Sequence, residues 1–88
     1  MSASRSVAQR VDTLLQRVFE VGPGQLRDET RRGDLDRWDS LGHLTLIEAL
    51  REEFGVDIPP EVALSMESVE DIKRTMNGLL DGRPGAER

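Results

Sequence analysis

The 88-residue sequence contains no cysteine and no tyrosine, and only one tryptophan, one histidine and one lysine. Without cysteine there is no disulfide framework, no thiolate nucleophile and no zinc–thiolate site. Long apolar runs are missing as well, since none exceeds three residues (Val62 to Leu64). That excludes a transmembrane helix and the core of a signal peptide. Positive charge is in deficit: the formal net charge is −5 and the pI is near 4.8. The balance argues against nucleic-acid binding through a basic stripe and against attraction to an anionic membrane. A chain of this length makes one domain with a modest core and little room for a deep catalytic cleft. Leu, Ile, Val and Phe supply about 26% of it, above the roughly 20% typical of disorder, so it folds. The expectation is a single domain over residues 1–88, ordered from about 6 to 81. Its ends, Met1 to Arg5 and Gly82 to Arg88, are expected to fray.

What is present is helical periodicity. Val7, Val11, Leu14 and Val18, with Leu15 alongside, form the stripe of an amphipathic helix. Gly22-Pro23-Gly24 is expected to end it. A second pattern runs from about Ser40 to Phe54 and stops at Gly55. Pro59-Pro60-Glu61 suits the start of a helix of one or two turns. The last pattern opens at Ser68-Val69-Glu70-Asp71, which resembles a capping box, and continues through Ile72, Met76 and Leu79. No stretch alternates with period two, so the fold class is all-α. The 18-residue connection from Gly22 to Asp39 is unusually long, and Leu26, Leu35 and Trp38 within it are apolar enough to pack over a bundle end.

Catalysis finds few candidates. His43 is the sole histidine, has no paired nucleophile, and falls toward the packed side of its helix, where a half-buried, hydrogen-bonded ring is expected. A small enzyme built on His43 is therefore remote. Asp34-Leu35-Asp36 opens like a calcium loop, but Trp38, Asp39 and Thr45 stand where ligands or glycine are needed. The informative segment is Trp38-Asp39-Ser40-Leu41-Gly42-His43-Leu44. Ser40 lies where loop becomes helix. A serine or aspartate there serves as an N-cap, yet the same place favours a phosphate, because free N–H groups and the positive dipole end face it. Gly42 in the first turn either keeps the surface beside Ser40 low for a partner or carries no meaning. Leu41, Leu44, Glu48 and Glu52 form a second line on this helix, apolar near Ser40 and acidic further on. Between Asp39 and Asp71 nine acids face one base, Arg51, which predicts partners with basic patches and salt-sensitive association.

The run Trp38 to Ile47, followed by Ala49-Leu50-Arg51-Glu52-Glu53-Phe54-Gly55-Val56-Asp57-Ile58-Pro59, resembles the acyl carrier proteins of the wider phosphopantetheine-attachment family. An Asp-Ser-Leu triplet alone is weak. The downstream Glu-Glu-Phe-Gly, the acidic-proline junction and the long preceding loop make the match specific, and it covers about Val7 to Leu80. The resemblance implies a small four-helix bundle with a short third helix. It implies that Ser40 receives 4′-phosphopantetheine from coenzyme A through a magnesium-dependent phosphopantetheinyl transferase. The arm's thiol then carries acyl or aminoacyl groups as thioesters, and the carrier itself catalyses nothing. Partner enzymes are an acyl- or aminoacyl-loading enzyme and a downstream synthase or transferase, docking on Asp39, Leu41, Leu44, Glu48 and Glu52. The expectation is a monomeric, free-standing cytoplasmic carrier.

The chain departs from carriers of primary fatty-acid synthesis, which have acids where it has Gly42, Thr45 and Arg51. It also has Arg37-Trp38 where many modular carriers have Gly-Gly. These departures point to a specialised pathway of polyketide, fatty-acid-like or nonribosomal-peptide-like type. The rival reading is a carrier-like helical adaptor that is never modified, with Ser40 only an N-cap.

Overall fold

The stripe that starts at Val7 becomes helix α1 (Val7–Phe19) because both of its ends are chemically marked. Ser6 Oγ accepts from the Gln9 N–H at 3.1 Å and the Gln9 side chain accepts from the Ser6 N–H at 3.3 Å, a complete capping box. The computed structural model describes residues 6–81; the expected fraying at residues 1–5 and 82–88 lies outside them. α1 ends earlier than Gly22-Pro23-Gly24. Glu20 adopts φ 58°, ψ 49° and sends its N–H to Gln16 O, closing the last turn. Gly22 stays extended at φ −82°, and Pro23–Gln25 form a single 3₁₀ turn.

The chain then makes α2 (Ser40–Phe54), the six-residue α3 (Pro60–Ser65) and α4 (Val69–Asp81). This is the all-α bundle of three longer helices and a short third one. Among the described residues the only β-type pairing is one isolated bridge between Arg31 and Ser68. Gly55 at φ 66° closes α2, its N–H reaching Arg51 O at 2.8 Å. Pro60 opens α3 at the first helical position, where a missing N–H costs nothing. At α4 the expected capping box is only half formed. Ser68 Oγ accepts from the Asp71 N–H at 3.1 Å, but Asp71 Oδ2 accepts from the Glu67 N–H, one residue further out.

The core is the sum of the stripes. Val11, Leu14, Leu15 and Phe19 of α1 meet Leu46, Leu50 and Phe54 of α2 and Val69, Ile72 and Met76 of α4. α1 packs on both α2 and α4. Leu79, Val7 and Val18 are partly buried at its margins. Arg10 fastens α1 to the end of α2: its guanidinium lies 4.3 Å over the Phe54 ring and bonds both the Glu53 carboxylate and the Glu53 carbonyl.

The long connection is a packed structure rather than slack chain. Trp38 is wholly buried and stacks on Phe19 with centroids 5.2 Å apart. Arg32 N–H donates to Glu67 O, and Val69 and Glu70 N–H donate to Thr30 and Asp28 O, zipping the loop to the start of α4. Lys73 completes this seam with Asp12 at 3.1 Å and Asp28 at 2.9 Å. Burial alone would lower the Lys73 pKa, but hydrogen bonds to Asp28 and Asp12 outweigh it and the net shift is upward.

The Asp71 carboxyl is held below its ordinary 3.8, chiefly by the Glu67 backbone N–H; burial opposes this, and Arg74 and the Ser68 hydroxyl add to the lowering. A depressed folded-state pKa stabilises the fold in full above the unfolded value, and the gain is lost as pH falls through the folded one. Asp71→Asn, which keeps an acceptor oxygen but loses the charge, is therefore expected to cost a few tenths of a kcal/mol at neutral pH, up to about 1. Below about pH 4 it should soften the acid loss. Urea unfolding of both proteins across pH 2 to 7 checks this.

Candidate functional site

The site sits where the packed loop hands the chain to α2. Asp39 has extended backbone angles (φ −102°, ψ −164°) and its Oδ1 accepts from the Gly42 N–H at 2.8 Å. Asp39 is thus the N-cap and Ser40 is the first helical residue, which corrects the reading of Ser40 as the cap. Ser40 is exposed, and among the described residues its hydroxyl makes no hydrogen bond. The N–H groups of Ser40 and Leu41 likewise have no acceptor there, the usual condition of a first helical turn.

Gly42 has a reason inside the molecule. A Cβ at this position would lie 1.7 Å from the Arg37 carbonyl oxygen and 2.9 Å from its carbon. The loop backbone crosses directly against the first turn of α2, and only glycine leaves room for it. The expectation that Gly42 keeps a surface low for a partner, or carries no meaning, is replaced by this intramolecular contact.

His43 is buried rather than half-buried, at 5% exposure. Its Nδ1 lies 3.1 Å from Trp38 Nε1 and its Nε2 lies 2.8 Å from Ala63 O. Both ring nitrogens are engaged in holding structure, and no nucleophile adjoins them. Among the described residues, no group of three metal-ligating side chains gathers anywhere.

The line along α2 is where periodicity places it. Leu41 and Leu44 are 72% and 64% exposed, unusual for side chains of this size clustered beside one another. Glu48 and Glu52 follow on the exposed side. Glu48 is 3.1 Å from Arg51, which also lies 3.8 Å from Asp57, so the acidic end is partly neutralised. Glu52 forms no ion pair among the described residues.

Sequence reasoning missed Leu64, exposed at 67% on α3. A six-residue helix is too short for periodicity to assign a face. Leu64 and Leu44 line one groove between α2 and α3, of about 510 Å³. His43, Ile47, Ile58, Pro59 and Ala63 form its apolar wall, and Glu48, Arg51 and Asp57 its polar end. Along α2 the groove is lined from His43 to Arg51, about 12 Å at 1.5 Å per residue, and its near end starts three residues after Ser40.

Against known proteins, residues 9–76 match the family described as "Phosphopantetheine attachment site". An acyl carrier protein of Thermosynechococcus vestitus is 32% identical over 71 residues, covering 81% of this chain and 88% of that protein. Proteins of this type work with a phosphopantetheinyl transferase and with biosynthetic enzymes, and catalyse nothing themselves. The matched span takes in most of α1, the packed loop, all of α2 and α3, and more than half of α4. The chain belongs to the phosphopantetheine-attachment family, as a non-catalytic thioester carrier of the acyl carrier protein type bearing covalent 4′-phosphopantetheine.

Proposed function

We propose that Ser40 is the residue that bears the arm, and that Asp39, Leu41, Leu44, Glu48 and Glu52 form the surface on which partner enzymes dock. The observation that carries this reading is the hydroxyl of the first helical residue, exposed and without a partner among the described residues, with the capping role taken by Asp39. These residues fit a phosphate ester. The free N–H groups of the first turn and the positive end of the α2 dipole favour negative charge at Ser40 Oγ. When bound, 4′-phosphopantetheine supplies a terminal thiol that holds acyl or aminoacyl groups as thioesters. The chain's own residues anchor the arm, present it beside two exposed leucines, and offer the α2–α3 groove to a short apolar cargo.

The docking face is less acidic than nine acids would suggest, because Arg51 sits between Glu48 and Asp57. That supports a specialised polyketide, fatty-acid-like or nonribosomal-peptide-like pathway. Its enzymes would be a transferase that loads the arm, one that loads the cargo, and a downstream synthase. A carrier that acts as a monomer in the cytoplasm accords with this reading. Among the described residues no helix is long and apolar enough to cross a membrane.

The test is the intact mass after incubation with coenzyme A, magnesium and a broad-specificity phosphopantetheinyl transferase, followed by peptide mapping. Gain of one phosphopantetheinyl group on the peptide containing Ser40 is expected. No gain in folded protein, or gain on another residue, overturns the assignment.

The docking surface makes a separate prediction. Leu44→Arg leaves the core untouched, so melting should move little. A cation in place of an apolar anchor should slow arm loading or cargo transfer about tenfold or more, roughly 1.4 kcal/mol of interaction. Unchanged transfer kinetics with several partner enzymes would remove Leu44 from the surface.

A further inference from the structure

Helix α3 meets the core only through Val62 and Ala63, which are partly buried against it. None of its residues is buried and no side chain caps its start. Among the described residues one side-chain hydrogen bond ties it to another element, and that bond comes from His43, at 2.8 Å from Ala63 O. The other ring nitrogen fixes the direction. An indole N–H can only donate, so His43 Nδ1 accepts from Trp38, the ring proton resides on Nε2, and Nε2–H donates to Ala63 O. The result is a one-way relay from Trp38 through His43 to α3.

Its two ends lie at meaningful places. Trp38 is two residues before Ser40, wholly buried, stacked on Phe19, with its carbonyl accepting from the Gly33 N–H. That end is rigid. Ala63 belongs to the wall of the groove, and the His43 ring lines the same groove. A rigid turn thus reaches through the His43 ring to the α3 wall of the groove. Moving α3 away breaks the His43 Nε2–Ala63 O bond while the Trp38 indole N–H keeps its acceptor on Nδ1, so the ring stays in place and only the α3 end of the clasp opens.

We propose that His43 is the positioning residue that sets the width of the α2–α3 groove, clasping α3 to the turn that bears Ser40, and that it thereby limits the length of cargo the carrier encloses. The inference rests on Ser40 as the attachment site, since cargo on the arm enters the groove from there.

The experiment uses wild type, His43→Leu and His43→Gln, each loaded with an acetyl or an octanoyl phosphopantetheine arm. Intact mass and peptide mapping come first, so that failure of loading at Ser40 is seen as failure of the attachment reading. Thioester cleavage by hydroxylamine then reports enclosure, and the indole N–H resonance of Trp38, the sole tryptophan, reports the clasp. In wild type the octanoyl thioester should react about threefold or more slowly than the acetyl one, the time spent open setting the rate. His43→Leu should bring the ratio near one. His43→Gln, whose amide keeps an acceptor and donors, should restore much of it. Octanoyl, unlike acetyl, should also move the wild-type Trp38 resonance. An unchanged cleavage ratio in folded His43→Leu overturns the proposal, as does a Trp38 resonance blind to cargo length. The second result decides even where His43→Leu does not fold.

Discussion

Ser40→Ala is expected to abolish attachment of the phosphopantetheine arm completely and to leave the melting midpoint almost where it was. The two halves of that result come from different atoms. Loss of attachment follows because the hydroxyl oxygen is the atom to be esterified, and alanine has none. Retention of stability follows because the helix is capped by Asp39, whose Oδ1 accepts from the Gly42 N–H. The Ser40 hydroxyl makes no hydrogen bond among the described residues and is exposed. Alanine is the better helix former, so the change should stay within about 0.5 kcal/mol of zero. Asp39→Ala is the mirror experiment and should cost about 1 kcal/mol through the lost cap. An adaptor that used Ser40 only as a cap would show the reverse order of stabilities and no mass gain in wild type. Thermal denaturation and intact mass on the same three proteins therefore separate the readings.

The parts of this fold that were legible in the sequence are those that repeat. The stripes of α1, α2 and α4 each bury three or four residues at helical spacing, and the core follows from them. The start of α3 was legible for another reason, since Pro60 and Glu61 both favour a first turn. What stayed hidden depends on single contacts between distant segments. Glu20, not Gly22, takes the left-handed conformation that ends α1, and nothing in a glutamate announces that. Asp39 and Ser40 are both good caps, and only the backbone angles decide between them. The polar relay through His43 joins residues five and twenty positions away. Leu64 escaped because two turns of helix show no period. Charge counting also overstated the acidic face, because Arg51 sits between two of the acids it was counted against.

Gly42 and Gly78 are both helical glycines, and replacing each with alanine is expected to move stability in opposite directions. At Gly78 in α4 a Cβ would meet nothing within 4 Å. There the usual preference of helices for alanine acts unopposed and should add about 1 kcal/mol. At Gly42 the same preference exists, but the new carbon would sit 1.7 Å from the Arg37 carbonyl oxygen. That is far inside contact distance, and the obstacle is backbone, so no rotamer change relieves it. The loop cannot simply withdraw. Trp38 follows Arg37 directly, is wholly buried against Phe19, and is held by bonds to Leu35 O and from Gly33 N–H. Displacing Arg37 strains that anchor, and with it the relay to His43. Overpacking of this kind costs about 1–3 kcal/mol or more, which outweighs the propensity gain. Gly42→Ala should lower the melting temperature by about 10 °C, given roughly 4–8 °C per kcal/mol for a domain of this size. Trp38 fluorescence should register the change before helix content does, because the loop moves before α2 unwinds. If Gly42→Ala melts as high as Gly78→Ala, the crossing of the loop over α2 is not what requires glycine. The first-turn geometry beside Ser40 would then need another explanation.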